Sequence, residues 1–189
     1  MTLRKVLALA KEIRQRSQIP LLLMSYYNPM LRYGLTELAR DAAGAGIDGV
    51  LATDLTVEEA GEFRNAMSAS HLNTIFLAAP TSSPERLKKI AQISTGFIYA
   101  VSRTGVTGES QELAQELRGF LASLRSFSST PIAVGFGISS PEHVKAVWDV
   151  ADGAIVGSAI EREIEKHLSR ADLVERVAAF AKWLRGETA

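Results

Sequence analysis

The 189-residue sequence contains no cysteine. That excludes disulfides and thiolate-held metals, and it suits a reducing compartment. No charge sign is in excess: 21 Lys and Arg balance 21 Asp and Glu, so no basic footprint marks a nucleic-acid partner. Histidine is scarce. His71, His143 and His167 lie far apart without metal-ligand spacing, and they read as surface or helix-end residues. No apolar run approaches the ~20 residues that span a bilayer. At the N-terminus, Arg4, Lys5, Lys11, Glu12 and Arg14 interrupt the apolar stretch, unlike a signal peptide. What is present is ordinary globular composition, 47% hydrophobic and 22% charged, enough for one substantial core. No linker or low-complexity stretch divides it, so residues 1–189 read as a single domain.

Apolar residues Leu3, Val6, Leu7, Ala10 and Ile13 recur at three- and four-residue steps, which predicts an opening amphipathic helix ended before Pro20. "LLLMSYY" has no helical period and reads as a strand buried on both faces. The alternation then continues. "LTELARDAAGAG" is helical, "DGVLATD" a strand, and "TVEEAGEFRNAMSASH" a helix opening on Thr56. "NTIFLAA" is a strand, and "SPERLKKIAQIS" a helix with Ser83 as N-cap and Pro84 at its first position. "GFIYAVS", "PIAVGFG" and "DGAIVGSA" are strands separated by helical stretches, and two helices close the chain. In the last of these, Leu173, Val177, Phe180 and Leu184 share a face. Six strand–helix units with glycine and proline punctuation imply a parallel α/β sheet. A barrel of eight such units takes about 250 residues, so this chain is short by two.

Ligands of parallel α/β folds meet the C-terminal ends of strands. Three loops there, "SRTGVTGES", "GFGISSPEH" and "GSAIERE", are rich in glycine and hydroxyl residues, and the last two run directly into helices. Gly108, Gly137 and Gly157 let backbone N–H groups approach a phosphate closely, and a helix N-terminus adds partial positive charge. For one such loop alone a simple turn is the better reading; three together point to a phosphate-bearing small substrate. Tyr26, Tyr99 and Phe136 lie at or near strand ends. They floor a flat aromatic substrate or cap the core, and composition leaves both readings open. Asp54 is the one carboxylate at a strand end on that rim. It reads as a base, a helix cap or a partner contact, and the structural roles lead because one carboxylate cannot supply both a general acid and a general base.

"PLLLMSYYNPMLRYG", "FLAAPTSSPERLKKIA", "GFIYAVSRTGVTG", "VGFGISSPEHVKAV" and "DGAIVGSAI" resemble, in order and spacing, the tryptophan synthase alpha chain family. The likeness runs over essentially the whole sequence. It implies a TIM (β/α)8-barrel, here with six of the eight strand–helix units, that cleaves indole-3-glycerol phosphate to indole and glyceraldehyde 3-phosphate by a retro-aldol step in the cytoplasm. By motif it assigns Gly108, Gly137, Gly157 and Ser158 to phosphate, and Tyr26, Tyr99 and Phe136 to the indole pocket. Thr107 falls in a mobile loop that closes over substrate. Asp54 and Thr56 face a beta chain, which in the family's α2β2 complex carries pyridoxal phosphate. The alpha chain itself implies no cofactor and no metal.

One family stretch is absent. The resemblance places a catalytic glutamate and aspartate on and just after a second strand, in a segment like "ExGxPFSDPxADGP", and nothing similar occurs here. The expectation is an N-terminally truncated chain that lacks the first two strands, the first helix and both acid–base groups. It retains the ligand sites and is inactive or very weak alone. Either the natural protein extends upstream of Met1, or a short form leaves two sheet edges unpaired. The alternative role is a non-catalytic module that binds the phosphate ligand and docks on the beta chain to modulate it. A further rival, another phosphosugar isomerase or epimerase barrel, shares the phosphate glycines but not "SRTGVTG" or "SYYNPM".

Overall fold

The computed structural model describes residues 1–101, 111–135 and 137–187. The chain divides into two compact units: Met1–Leu77 with Glu85–Ile98, and Ala78–Pro84 with Tyr99–Ala189.

The first unit opens with α1 (Leu3–Arg14), capped by Thr2, whose hydroxyl accepts from the Lys5 N–H. Strand β1 (Leu22–Ser25) follows, then α2 (Tyr27–Tyr33) and α3 (Leu35–Gly44). Next come β2 (Gly49–Ala52), α4 (Gly61–Ala69) and β3 (Asn73–Thr74). Strand order is β1-β2-β3, and both pairings are parallel. The four residues of β2 are all buried, as expected of a central parallel strand. Around it Met30, Leu38, Phe63 and Met67 are fully excluded from solvent. The Phe63 ring meets Tyr27 and Phe76 edge-on, with centroids 6.1 and 6.5 Å apart. Helix α5 (Pro84–Ile93) begins at its proline, as read.

The second unit carries a sheet in the order β4-β5-β6-β7: β4 (Leu77–Ala78), β5 (Ile98–Val101), β6 (Ile132–Gly135) and β7 (Gly153–Ile155). Between and after these strands lie α6 (Gln111–Phe127), α7 (Pro141–Trp148), α8 (Ser158–His167) and α9 (Leu173–Leu184). Strands β6 and β7 run parallel, with Gly135 opposite Ile155. Ala100, Leu124, Ile132, Val134 and Val147 form the core. On α9, Leu184 is buried while Leu173, Val177 and Phe180 are half-buried, so the expected face points inward.

The six expected strands are all present, with four local corrections. The first is not buried on both faces: Leu23 is 4% exposed, but Leu22 is 40% and Met24 55%, so the face that carries these two alternate residues is left uncovered. It also ends at Ser25, since "YNPMLRY" forms the short helix α2. The third is broken: Asn73–Thr74 pairs in one sheet and Leu77–Ala78 in the other, with the buried Ile75 and Phe76 between them. The helix expected from Thr56 starts at Gly61. Thr56 instead closes a turn whose carbonyl accepts from the Glu59 N–H, which lets Leu55, Val57 and Ala60 all turn inward. All three histidines sit at or near helix ends. His71 takes the left-handed conformation (φ 58°) just after α4, and His167 is buried, with its Nε2 2.9 Å from the Glu163 carboxylate.

Candidate active site

In the second unit the ends of adjacent strands and the loops after them carry four of the expected ligand residues, Tyr99, Gly137, Gly157 and Ser158. Gly135 is level with Ile155 across the β6–β7 pair, so Gly137 and Gly157 each lie two residues beyond one paired level. The two loops differ in what their helices offer. At α7, Ser140 is the N-cap; its hydroxyl accepts from the His143 N–H at 3.4 Å, and the Ser139 N–H donates to His143 Nδ1 at 3.3 Å. The same serine lowers the Glu142 carboxyl below its ordinary value, chiefly through a hydrogen bond. That helix start is therefore already satisfied. At α8 the cap is Gly157, with no side-chain cap hydrogen bond. Gly157 and Ser158 are exposed, and a Cβ placed on Gly157 meets nothing within 4 Å. The first turn of α8 thus lacks a side-chain cap, and uncapped N–H groups at a helix start are suited to receive a phosphate. Gly137 has φ +73°, a conformation that favours glycine over any residue with a Cβ.

Tyr99, on β5, is half-buried, and burial raises its phenol above the ordinary range. Its ring lies against Gly135, the last residue of β6. A Cβ at that glycine would stand 2.8 Å from Tyr99 Cζ and 2.9 Å from Cε1. Gly135 was not among the glycines singled out from the sequence. Its only local signal is a second glycine two residues before Gly137, and the need for it comes from a side chain 36 positions away. Thr107, Gly108 and Phe136 lie outside the described residues.

The remaining candidates belong to the first unit. Tyr26 is 67% exposed and forms the N-cap position of α2. Its side chain makes no cap, and the role falls to Asp54, whose Oδ1 accepts from the Tyr27 N–H at 2.6 Å. Asp54 thus caps a helix, but the one before it in sequence, where a carboxylate also complements the helix dipole. Thr56 is exposed, and its Oγ1 donates to Glu59 Oε2 at 3.1 Å. Among the described residues no group of His, Asp and Glu could hold a metal ion, and no helix is long and apolar enough to cross a membrane.

One protein-family model, that of the tryptophan synthase alpha chain, matches residues 1–187. The chain belongs to the tryptophan synthase alpha chain family. Among curated members it is 48% identical over 184 residues to the alpha chain of Solibacter usitatus, covering 97% of this chain and 69% of that one. It is 46% identical over 165 residues to the alpha chain of Geotalea daltonii, covering 87% and 62%. The chain thus spans about two thirds of the length of these relatives. Among solved structures it is similar to a chain of the tryptophan synthase a2b2 complex of Pyrococcus furiosus, at TM-score 0.86 and 34% identity over 98% of this chain and 74% of that one. The fold is accordingly the α/β TIM-barrel type that the resemblance implies, and the family is one of amino-acid biosynthesis lyases.

Proposed function

We propose that these 189 residues form the substrate-holding part of an indole-3-glycerol phosphate lyase, folded as one partial barrel domain. The carrying observation is the rim of the second unit, where the uncapped start of α8 at Gly157 and Ser158 follows β7, and β7 pairs with β6, whose last residue Gly135 packs against the Tyr99 ring. In this reading the phosphate sits on the N–H groups of Gly157 and Ser158 and beside Gly137, with Gly108 contributing from its loop. The indole ring lies against Tyr99; the family resemblance also assigns Phe136 and Tyr26 to the indole pocket and Thr107 to a loop that shields the substrate from water. The retro-aldol step breaks the bond between the indole ring and the glycerol carbon. It takes a proton from the glycerol hydroxyl, as the carbonyl of glyceraldehyde 3-phosphate forms, and delivers one to the ring carbon. We assign those two proton-transfer roles to none of the described residues: Asp54 is engaged at the start of α2. The family's Glu and Asp motif does not occur in this sequence. The reading includes a cytoplasmic location, no cofactor or metal in this chain, and a beta chain as partner contacting Asp54 and Thr56. The Pyrococcus furiosus alpha chain is itself solved within an a2b2 complex.

The missing acid–base motif also supports the second reading, a ligand-binding module that modulates the beta chain without chemistry of its own. Binding of indole-3-glycerol phosphate and release of indole, each measured with and without a beta chain, test both. Retained binding with indole release about 10²–10⁴-fold below that of a complete alpha chain is expected. A rise in beta-chain activity without indole release would favour the modulator. Turnover equal to a complete alpha chain would refute the assignment of proton transfer elsewhere, and absence of binding would refute the site.

A further inference from the structure

At the N-terminal end of β3, where α4 and α5 both finish, the first unit forms a polar cleft of about 360 Å³, within the size range of small-ligand pockets. From α4, Arg64 and Ser68 stand one turn apart on one helix face, with Asn65 beside them. His71 and Asn73 line it from the turn into β3, and Thr95 from the segment after α5. Leu72 and Ile93 supply its apolar part, and among the described residues no aspartate or glutamate lines it. Arg64 is half-buried, and among the described residues its side chain has neither an ion-pair nor a hydrogen-bond partner. A guanidinium carries five donors in a planar fork and no acceptor, so a partly buried one calls for an oxyanion. The side chains of Asn65 and Ser68 are likewise without a partner among the described residues. Thr95 Oγ1 accepts from the Thr74 N–H at 2.8 Å, which fixes the hydroxyl and leaves its hydrogen to donate. Helix C-termini disfavour anions, but the carbonyls here are already engaged. That of Met67 accepts from the Ser70 and Leu72 N–H groups, that of Ser68 from His71, and that of Ile90 from the Ser94 N–H and hydroxyl. The left-handed conformation of His71 (φ 58°) lets Leu72 turn into the core while His71 stays exposed at the cleft.

We propose that this cleft binds a small hydroxylated oxyanion, a phosphate monoester or a carboxylate, with the charged group on Arg64 and the hydroxyls on the side chains of Asn65, Ser68, Asn73 and Thr95. The amide and hydroxyl walls select a hydroxylated body over an aromatic one. The proposal does not rest on the functional reading above, because every lining residue lies in the first unit and none of them is assigned to indole-3-glycerol phosphate.

With three histidines in the sequence, NMR makes the test local. The His71 ring signals are assigned by their loss in His71→Asn, since asparagine tolerates the left-handed conformation. Glycerol 3-phosphate, glycerate and inorganic phosphate are titrated at constant pH and ionic strength, with sodium chloride as the control. A saturable shift of the His71 signals with glycerol 3-phosphate or glycerate is expected, and the tighter of the two identifies the anionic group. Arg64→Gln should weaken that binding at least about tenfold. Arg64→Lys should weaken it less, because the charge remains without the fork. Arg64 has no side-chain partner to lose among the described residues, so the circular dichroism and urea midpoint of both variants should match the parent chain, which separates lost binding from lost folding. Phosphate taken up only at the start of α8 leaves the His71 signals in place and counts against this site. No saturable shift, a shift that sodium chloride reproduces, or one that both Arg64 variants leave unchanged overturns the proposal. Inorganic phosphate binding as tightly as the two hydroxylated probes overturns the assignment of the ligand's body.

Discussion

Gly135→Ala is the substitution that tests the site most directly. The glycine has no positive φ, so alanine is acceptable to the backbone, and the effect comes from the added methyl group alone. That carbon would lie 2.8 Å from Tyr99 Cζ, where carbon atoms pack best at about 3.5–4.0 Å, so the ring must retreat by roughly 0.7 Å or more. Tyr99 cannot move with its strand, because Ile98 and Ala100 on either side are fully buried. The ring must therefore turn about its own side-chain bonds. Overpacking of this kind costs about 1–3 kcal/mol. Here part of it is relieved because the ring is only half-buried, which places the loss of stability near the lower figure. A turned ring no longer presents the same surface at the end of β6. Affinity for indole-3-glycerol phosphate, measured by titration calorimetry, should fall about tenfold, equivalent to about 1.4 kcal/mol. The phenolic oxygen is the atom nearest the added carbon, so Tyr99→Phe in the Gly135→Ala background should recover part of both losses, a non-additivity expected of touching residues. Binding and urea unfolding indistinguishable from the parent chain in Gly135→Ala would refute the reasoning.

Arg14 ties the end of α1 to the loop before β2. Its Nη2 lies 2.7 Å from Asp48 Oδ2, its Nε donates to the Gly46 carbonyl at 3.0 Å, and its Nη1 donates to the carbonyls of Ser17 and Ile19. Arg14→Ala should cost about 1.5–3 kcal/mol by urea unfolding, and Arg14→Lys should restore only part of it, because an ammonium cannot reproduce the fork. A loss within 0.5 kcal/mol of zero, which is about the effect of an ordinary surface change, would show that the network adds nothing. Acid should destabilise the chain in a defined window. The Ile132 N–H, then Arg125, hold the Asp152 carboxyl below its ordinary value, and Arg170 holds that of Asp172 at about 2. Both folded values are depressed, so their stabilisation is complete above the unfolded value near pH 4 and is lost as pH falls below it, for Asp172 toward about 2. The urea midpoint should drop across that interval, and Asp152→Asn should make the drop shallower; an equal drop in the variant would remove Asp152 as a cause.

The alternation of strands and helices, the start of α5 at Pro84, the Ser140 and Pro141 start of α7, the inward face of α9 and the glycine-led start of α8 were all legible in the sequence. Each depends on residues within a turn or two of one another, where spacing and backbone preference act directly. What the tertiary structure decided involves partners distant along the chain. Asp54 reaches back 27 positions to cap α2, a helix that "YNPMLRY" does not announce. Gly135 is required by a ring on β5, and the Ile75–Phe76 pair divides one apolar run between two sheets. The uniformly apolar "LLLM" has no alternation to say which face is covered; only the structure shows that the face carrying Leu22 and Met24 is left uncovered. Local sequence determines which segments become strands and helices. Burial and hydrogen-bond satisfaction depend on which neighbour arrives, and that is a property of the assembled sheet.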